Sequence, residues 1–355
     1  MSLFPRLQAV TGESLTPKLE QIVRIWEVVA VEGHVLNPHG RWGGRPAHNR
    51  CLLARAFVVK TVYNLATTVA LLEMLKTNRS LRILCGFESI KAIPSEATFS
   101  RSFEEFSDYG LGDIVHAALV RDHVGDQIVE HASHDSTEVE ARERPAKKER
   151  KVREKKKRGR PKKGEVRPAP EPKRLDIQLQ QTAEEAFGEL PKQCDFGTKL
   201  DTSGHKHTWK GYKAHIAWAD DNIPLAEATT SASVHDSQVA IPLMRTVASR
   251  VTSLYDLADS AYDAPQIRFV SKDLGHVPII DANRRGGDIP EDKLFDPAMA
   301  QRYKERTTAE RGNSRLKDEF GLRHIRVRGH KKVHLQIMFG IIALFADQIL
   351  KPCRC

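Results

Sequence analysis

One stretch of this chain cannot fold by itself, and it divides the rest. Residues 142–174 hold 17 Lys/Arg against 5 Glu, a local charge of +12. Such a segment has too little apolar surface to offset the entropy lost on ordering. Any core must come from its flanks. Those flanks carry 39 basic and 41 acidic residues, so the whole formal charge of +10 comes from the one segment. Charge concentrated in this way predicts a polyanionic partner.

The remaining composition excludes several classes. With 355 residues and 40% hydrophobic content, the chain can bury a core and is expected to form two or three domains. No uninterrupted apolar run of membrane-spanning length is apparent: the longest candidate, 337–350, is broken by Gly340, Asp347 and Gln348. The opening MSLFPRLQAV lacks a charged region followed by an apolar one. Cys51, Cys85, Cys194, Cys353 and Cys355 suggest neither a disulfide framework nor a zinc site. The expectation is a reduced, cytoplasmic protein associated with the nucleoid.

The two flanks differ in pattern. Thr16-Pro17 is a good N-cap and first-turn pair, followed by apolar residues at helical spacing from Leu19 to Val29. Further helices are expected at about 46–65, 67–76 and 95–106, the last carrying a core stripe of Phe99, Phe103 and Phe106, and at 111–120. Beyond Gly125 the period shortens. Strands are expected at 128–135, 212–219, 224–229, 254–258 and 277–281. Asp220-Asp221-Asn222 forms a hairpin turn, and helices are expected at 237–251, 264–273, 298–319 and 331–350. These elements predict a helical domain over 1–125, of DNA-binding or assembly role. An α/β domain with a mixed sheet is predicted over 126–355, interrupted by the insertion at 142–174.

Three carboxylates stand out. Asp135 is expected at or just past the end of a strand, and Asp259 ends another; open α/β sheets place ligand groups at such ends. Glu310 lies in YKERTTAERGNSRLK. Tyr303, Arg306, Glu310 and Lys317 stand at offsets 0, 3, 7 and 14, within roughly 60° on one helix face. Taken alone, that face reads better as a solvated one with helix ion pairs. Two strand-end aspartates and a helical glutamate can bind two divalent cations through oxygen, an arrangement suited to phosphoryl transfer. Arg and Lys on the same face suit neighbouring phosphates.

The Y-x2-R-x3-E-x6-K spacing at Tyr303, Arg306, Glu310 and Lys317 resembles the signature of bacterial insertion-sequence DDE transposases. HDSTEVEARE around Asp135, WKGYKAH at 209–215, TTSASVHDS at 229–237 and LADSAYDA at 257–264 resemble further blocks of that family, in family order. GRP at 44–46 and IPSEATFSRSF at 93–103 are similar to its preceding helical domain. Ser260-Ala261 before Tyr262 departs from the family's Lys-Gly and leaves the aspartate intact. The resemblance implies an RNase H-like fold, with Asp135, Asp259 and Glu310 as catalytic residues holding two Mg²⁺, for which Mn²⁺ can substitute. It implies cleavage at element ends, transfer of the freed 3′-OH to target DNA, and a homodimer or higher oligomer on DNA. Alternatives are a catalytically inactive, transposase-derived DNA-binding protein and a metal-dependent nuclease without strand transfer.

Within the basic segment, Arg158-Gly159-Arg160-Pro161 resembles an AT-hook core. An extended Arg-Gly-Arg fits the narrow minor groove of A·T-rich DNA, with Lys162 and Lys163 on phosphates. Asp236 is expected to cap the following helix, and Trp209 to pack within its strand. Arg284, Arg285 and the run from Arg323 to Lys332 are secondary DNA-contact candidates. The final helix is apolar nearly all round and should be buried. Replacing Arg158 and Arg160 by Ala is expected to weaken DNA binding and flatten its dependence on salt. A titration series at several salt concentrations measures this, and an unchanged slope removes the segment from the interface.

Overall fold

A computed structural model describes residues 14–36, 47–145, 147, 172–200, 203–283 and 291–351. Most of the basic segment, including Arg158, Gly159, Arg160, Lys162 and Lys163, lies outside the described residues. So do Gly44 to Pro46, Arg284, Arg285, Cys353 and Cys355.

The first flank is helical. Helix α1 (Pro17–Val29) starts where Thr16 Oγ1 accepts from Leu19 N at 3.4 Å, and it buries Leu19, Ile22, Val23, Ile25 and Val29. Helices α2 (Arg50–Val62), α3 (Thr68–Thr77), α4 (Arg79–Leu84), α5 (Glu96–Asp108) and α6 (Leu111–His123) follow. The Phe99, Phe103 and Phe106 stripe closes on Phe57, with ring centroids 5.6, 4.8 and 6.3 Å away, all edge-on.

Among the described residues six strands form one mixed sheet, giving the expected α/β class behind a helical region. They are β1 (Ile128–Glu140), β2 (Asp195–Leu200), β3 (Lys206–Trp218), β4 (Pro224–Ser231), β5 (Thr252–Ala258) and β6 (Val277–Ile280). The order is β2-β3-β1-β5-β6, with β4 also on β3. Strands β2, β1 and β4 run antiparallel to β3, whereas β1, β5 and β6 are mutually parallel. The β3–β4 turn uses Asp221 and Asn222, both at φ 60°, a conformation these short polar residues tolerate. Helices α9 (Ser237–Ala248) and α10 (Pro265–Asp273) make the crossovers to β5 and β6.

Three expectations need correction. Strand β1 runs on to Glu140 because β3 pairs with it as far as Gly211, so Asp135 sits inside the strand. The single helix expected over 298–319 is two, α11 (Pro297–Tyr303) and α12 (Thr307–Asp318), joined by a tighter turn at Lys304–Arg306. Order also resumes well before residue 212: α7 (Arg174–Gln178), α8 (Ala183–Gly188) and β2 lie there.

Helix α13 (His330–Ile349) is long and apolar enough, by length and composition, to cross a membrane, contrary to the reading of its interruptions. It is nonetheless largely buried within the fold. It packs on α1, α2, α5 and α6, and one hydrophobic cluster runs unbroken from Leu15 through the sheet to Ala346.

A charged clamp joins helix α13 to the helical region and to the sheet. His334 Nε2 lies 3.0 Å from both Asp113 oxygens, and its Nδ1 lies 3.0 Å from Glu227 Oε2. Glu227 is fully buried. Burial alone favours neutral imidazole, but the attraction of Glu227 and Asp113 prevails and holds the His334 pKa well above its ordinary value. A raised histidine pKa stabilises the fold fully below the unfolded value of about 6.5, and the contribution is lost as pH rises through the folded value. Replacing His334 by Gln is therefore expected to cost about 3 kcal/mol at pH 6. Urea unfolding across a pH series should show the penalty shrinking at alkaline pH; a constant penalty means the imidazole is not charged.

Candidate active site

The parallel register of β1 and β5 builds the centre of the site. His134 pairs with Ala258, so the next residues, Asp135 and Asp259, emerge side by side. Asp259 follows the last residue of β5 directly, and its Oδ1 accepts from Ala261 N at 2.9 Å. Asp135 Oδ2 accepts from Asn313 Nδ2 at 2.9 Å.

Behind them, His134 and Asp256 point to the other face, as strand alternation requires. Asp256 is fully buried. It accepts from His134 Nε2 at 3.0 Å, His276 Nδ1 at 3.0 Å and Ser271 Oγ at 2.6 Å. Burial pushes its pKa up, but the bonds and attraction of the two histidines outweigh that and hold it far below the usual carboxylate range. This ionised bracket ties β1 to β5 beneath the aspartate pair.

The pair itself has the opposite character. Burial raises the Asp135 pKa to about 6; the Ser136 backbone N–H and Arg306 oppose the rise, while Asp259 and Asp236 add to it. Asp259 is also raised, by burial first and then by Asp236 and Asp281, against the Ala261 N–H and Arg306. Two neighbouring carboxylates here lack enough positive charge to ionise at their ordinary pH.

Asp236 does not cap α9 with its side chain, as expected from the sequence; it has already turned into the helical conformation. Its carboxylate instead takes Lys213 Nζ at 2.8 Å and faces the aspartate pair. His235 bonds Ser237 Oγ at 2.8 Å.

The α11–α12 segment lies over this end of β1. It approaches closely because residue 312 is glycine: a Cβ there would sit 2.6 Å from the Trp218 ring. Across the tight turn Tyr303 and Arg306 eclipse, as three-residue spacing does in a 3₁₀ turn, and the guanidinium lies 5.8 Å over the tyrosine ring. Arg306 Nη2 donates to Glu310 Oε1 at 2.5 Å. The same guanidinium feels the charge of Asp135 and Asp259, so one cation is shared by all three candidate carboxylates. Glu310 remains more than half exposed, turned to Arg306. Among the described residues no three His, Cys, Asp or Glu side chains converge tightly enough to enclose a metal ion.

Lys317 reaches the far end of β1, where its Nζ lies 3.2 Å from Glu138 Oε1. Lys199 Nζ of β2 forms an ion pair with the other Glu138 oxygen at 2.6 Å. Trp209 is buried and donates to Tyr212 O at 3.0 Å, so it packs as expected. The buried polar atoms at the site with no hydrogen-bond partner among the described residues include Asn313 Oδ1 and the Tyr262 hydroxyl. Burial first, then Asp236, Asp135 and Asp259, push the Tyr262 pKa well up.

Sequence reasoning singled out the aspartate pair and the Tyr-Arg-Glu-Lys spacing. It missed Asp236 as a neighbour of the pair, the Asp256 bracket, Glu138 and Asn313. Asn313 alone had a readable signal: it follows Glu310 by three residues, on the same helix face.

Two family models match the chain. Residues 130–346 match the transposase DDE domain, and residues 6–105 match a transposase domain known as DUF772. No curated protein and no solved structure gives a match.

The raised Asp135 carboxyl has a consequence for stability. A carboxyl held above its ordinary pKa costs the fold stability as pH rises from about 4 through the folded value of about 6. In EDTA at pH 7.5, Asp135→Asn is expected to melt at a higher temperature than the parent, with the gap closing below about pH 4. Scanning calorimetry at the two pH values decides it; a lower melting temperature at pH 7.5 contradicts the charge strain.

Proposed function

Because the chain belongs to the transposase DDE-domain family, whose members act on DNA with divalent metal ions on an RNase H-like fold, we propose a specific chemistry for it. It cleaves DNA at the ends of an insertion sequence and joins the freed 3′-OH to target DNA. The observation that carries this reading is the register that sets Asp135 beside Asp259 within the field of Arg306, the residue that also holds Glu310.

The residues fit divalent magnesium. Their donors are carboxylate oxygens, which hard cations prefer. The aspartate pair is short of positive charge, and buried polar atoms at the site, Asn313 Oδ1 and the Tyr262 hydroxyl among them, lack partners among the described residues. Asp135, Asp259 and Glu310 are the proposed ligands. Two such ions, held there, would supply Lewis acidity for phosphoryl transfer.

The chain's own residues do the rest. The Asp256 bracket fixes the two strands, so the aspartates need no reorganisation when DNA arrives. Arg306, paired with Glu310, and Lys317, paired with Glu138 of β1, are the side chains that would take phosphates beside the scissile one. Tyr303 backs the Arg306 guanidinium. The basic insertion, with Arg158, Gly159, Arg160, Lys162 and Lys163, adds contact to flanking DNA. Residues 1–125 serve binding or assembly of a homodimer or larger complex that pairs the two ends.

The test is purified protein with a fragment bearing the flanking ends and a supercoiled target, in Mg²⁺ or EDTA. Mg²⁺-dependent joined products are expected. Asp135→Ala, Asp259→Ala and Glu310→Ala should each lower them by roughly a hundred-fold or more while leaving DNA binding largely intact. A variant that still cleaves removes its residue from the catalytic set. Cleavage without joining makes the protein a nuclease, and binding with neither product makes it a transposase-derived DNA-binding protein.

A further inference from the structure

Asn313 is a polar residue in an otherwise tight contact. It lies on α12 one turn beyond Glu310, next to the glycine that lets the helix meet Trp218, and it is 6% exposed. Burying an amide there is costly unless both ends are bonded. Only one end is: Nδ2 donates to Asp135 Oδ2 at 2.9 Å, while Oδ1 is buried with no partner among the described residues. An apolar side chain of the same size would avoid that cost. The position is therefore better suited to the carboxylate it holds than to packing.

We infer that Asn313 is a positioning residue for cation binding at the Asp135–Asp259 pair. Its amide fixes the rotation of the Asp135 carboxylate by committing Oδ2, at the register position beside Asp259. Oδ1 supplies an acceptor at the site for a donor that arrives with the bound ligand. Outer partners that orient a ligating carboxylate typically change metal affinity ten- to a hundred-fold when removed. The inference rests on the proposal that this pair binds a divalent metal.

The experiment is calorimetric titration of the full chain with Mn²⁺, alongside melting temperatures in EDTA. The proteins are the parent, Asp135→Ala, Asn313→Leu and Asn313→Ala. Leu keeps the branching at Cγ with added volume and Ala leaves space, so a packing defect in one is checked by the other. The expected result is Mn²⁺ binding by the parent that Asp135→Ala abolishes and that both Asn313 variants weaken by roughly ten-fold or more. In EDTA, Asn313→Leu should melt at or above the parent's temperature. Mn²⁺ affinity unchanged in folded Asn313 variants, with the Asp135 dependence intact, overturns the positioning role and leaves the metal site standing. Absence of any Asp135-dependent binding in the parent overturns the metal reading and the inference with it.

Discussion

The parallel pairing of β1 with β5 is the constraint on which the site depends. A shift of one residue would turn Asp135 or Asp259 to the opposite face. The buried Asp256, holding His134 on one strand and His276 beside the next, makes such a shift costly because it would strand an ionised carboxylate without partners. The same strands thus carry a fully satisfied carboxylate on one face and an under-compensated pair on the other. The first keeps the second in place.

The α11–α12 segment completes the arrangement from above. It contributes little apolar surface, and its approach relies on Gly312 against Trp218 and on polar ties down the length of β1. Arg302 bonds Glu130, Asn313 bonds Asp135 and Lys317 bonds Glu138. Arg306 sits in the middle of this series, paired with Glu310 and within the field of the aspartate pair without fully compensating it. A segment held by charge rather than by packing is sensitive to the ions around it.

Much of this was legible in the sequence because it is local. Thr16-Pro17, the Phe stripe, the Asp-Asp-Asn turn and the apolar final helix are short-range signals, and each element formed where expected. The aspartate pair was legible through strand ends, although β1 continues because β3, distant in sequence, supplies its partner. Helix α8 was missed despite a visible capping box, Thr182 with Glu185 three residues on, because the charge run before it dominated the reading. The tight turn at Lys304–Arg306 left no mark that a 3.6-residue period would reveal. The Asp256 bracket and the outward role of Asp236 depend on packing between strands and helices, which no spacing along the chain encodes.

Helix α13 adds a consequence in time. Gln21 donates to Asp347 at 2.6 Å, and Phe57 packs against Phe339, so the earliest helices find their partners some three hundred residues later. Contacts of that sequence separation slow folding, since a large loop must close before they reward it. During synthesis the apolar faces of α1, α2, α5 and α6 stay uncovered until residues 330–349 have left the ribosome. The apolar faces at the start of the chain are therefore made long before the helix that covers them. The core closes only when this last helix packs between the early helices and the sheet.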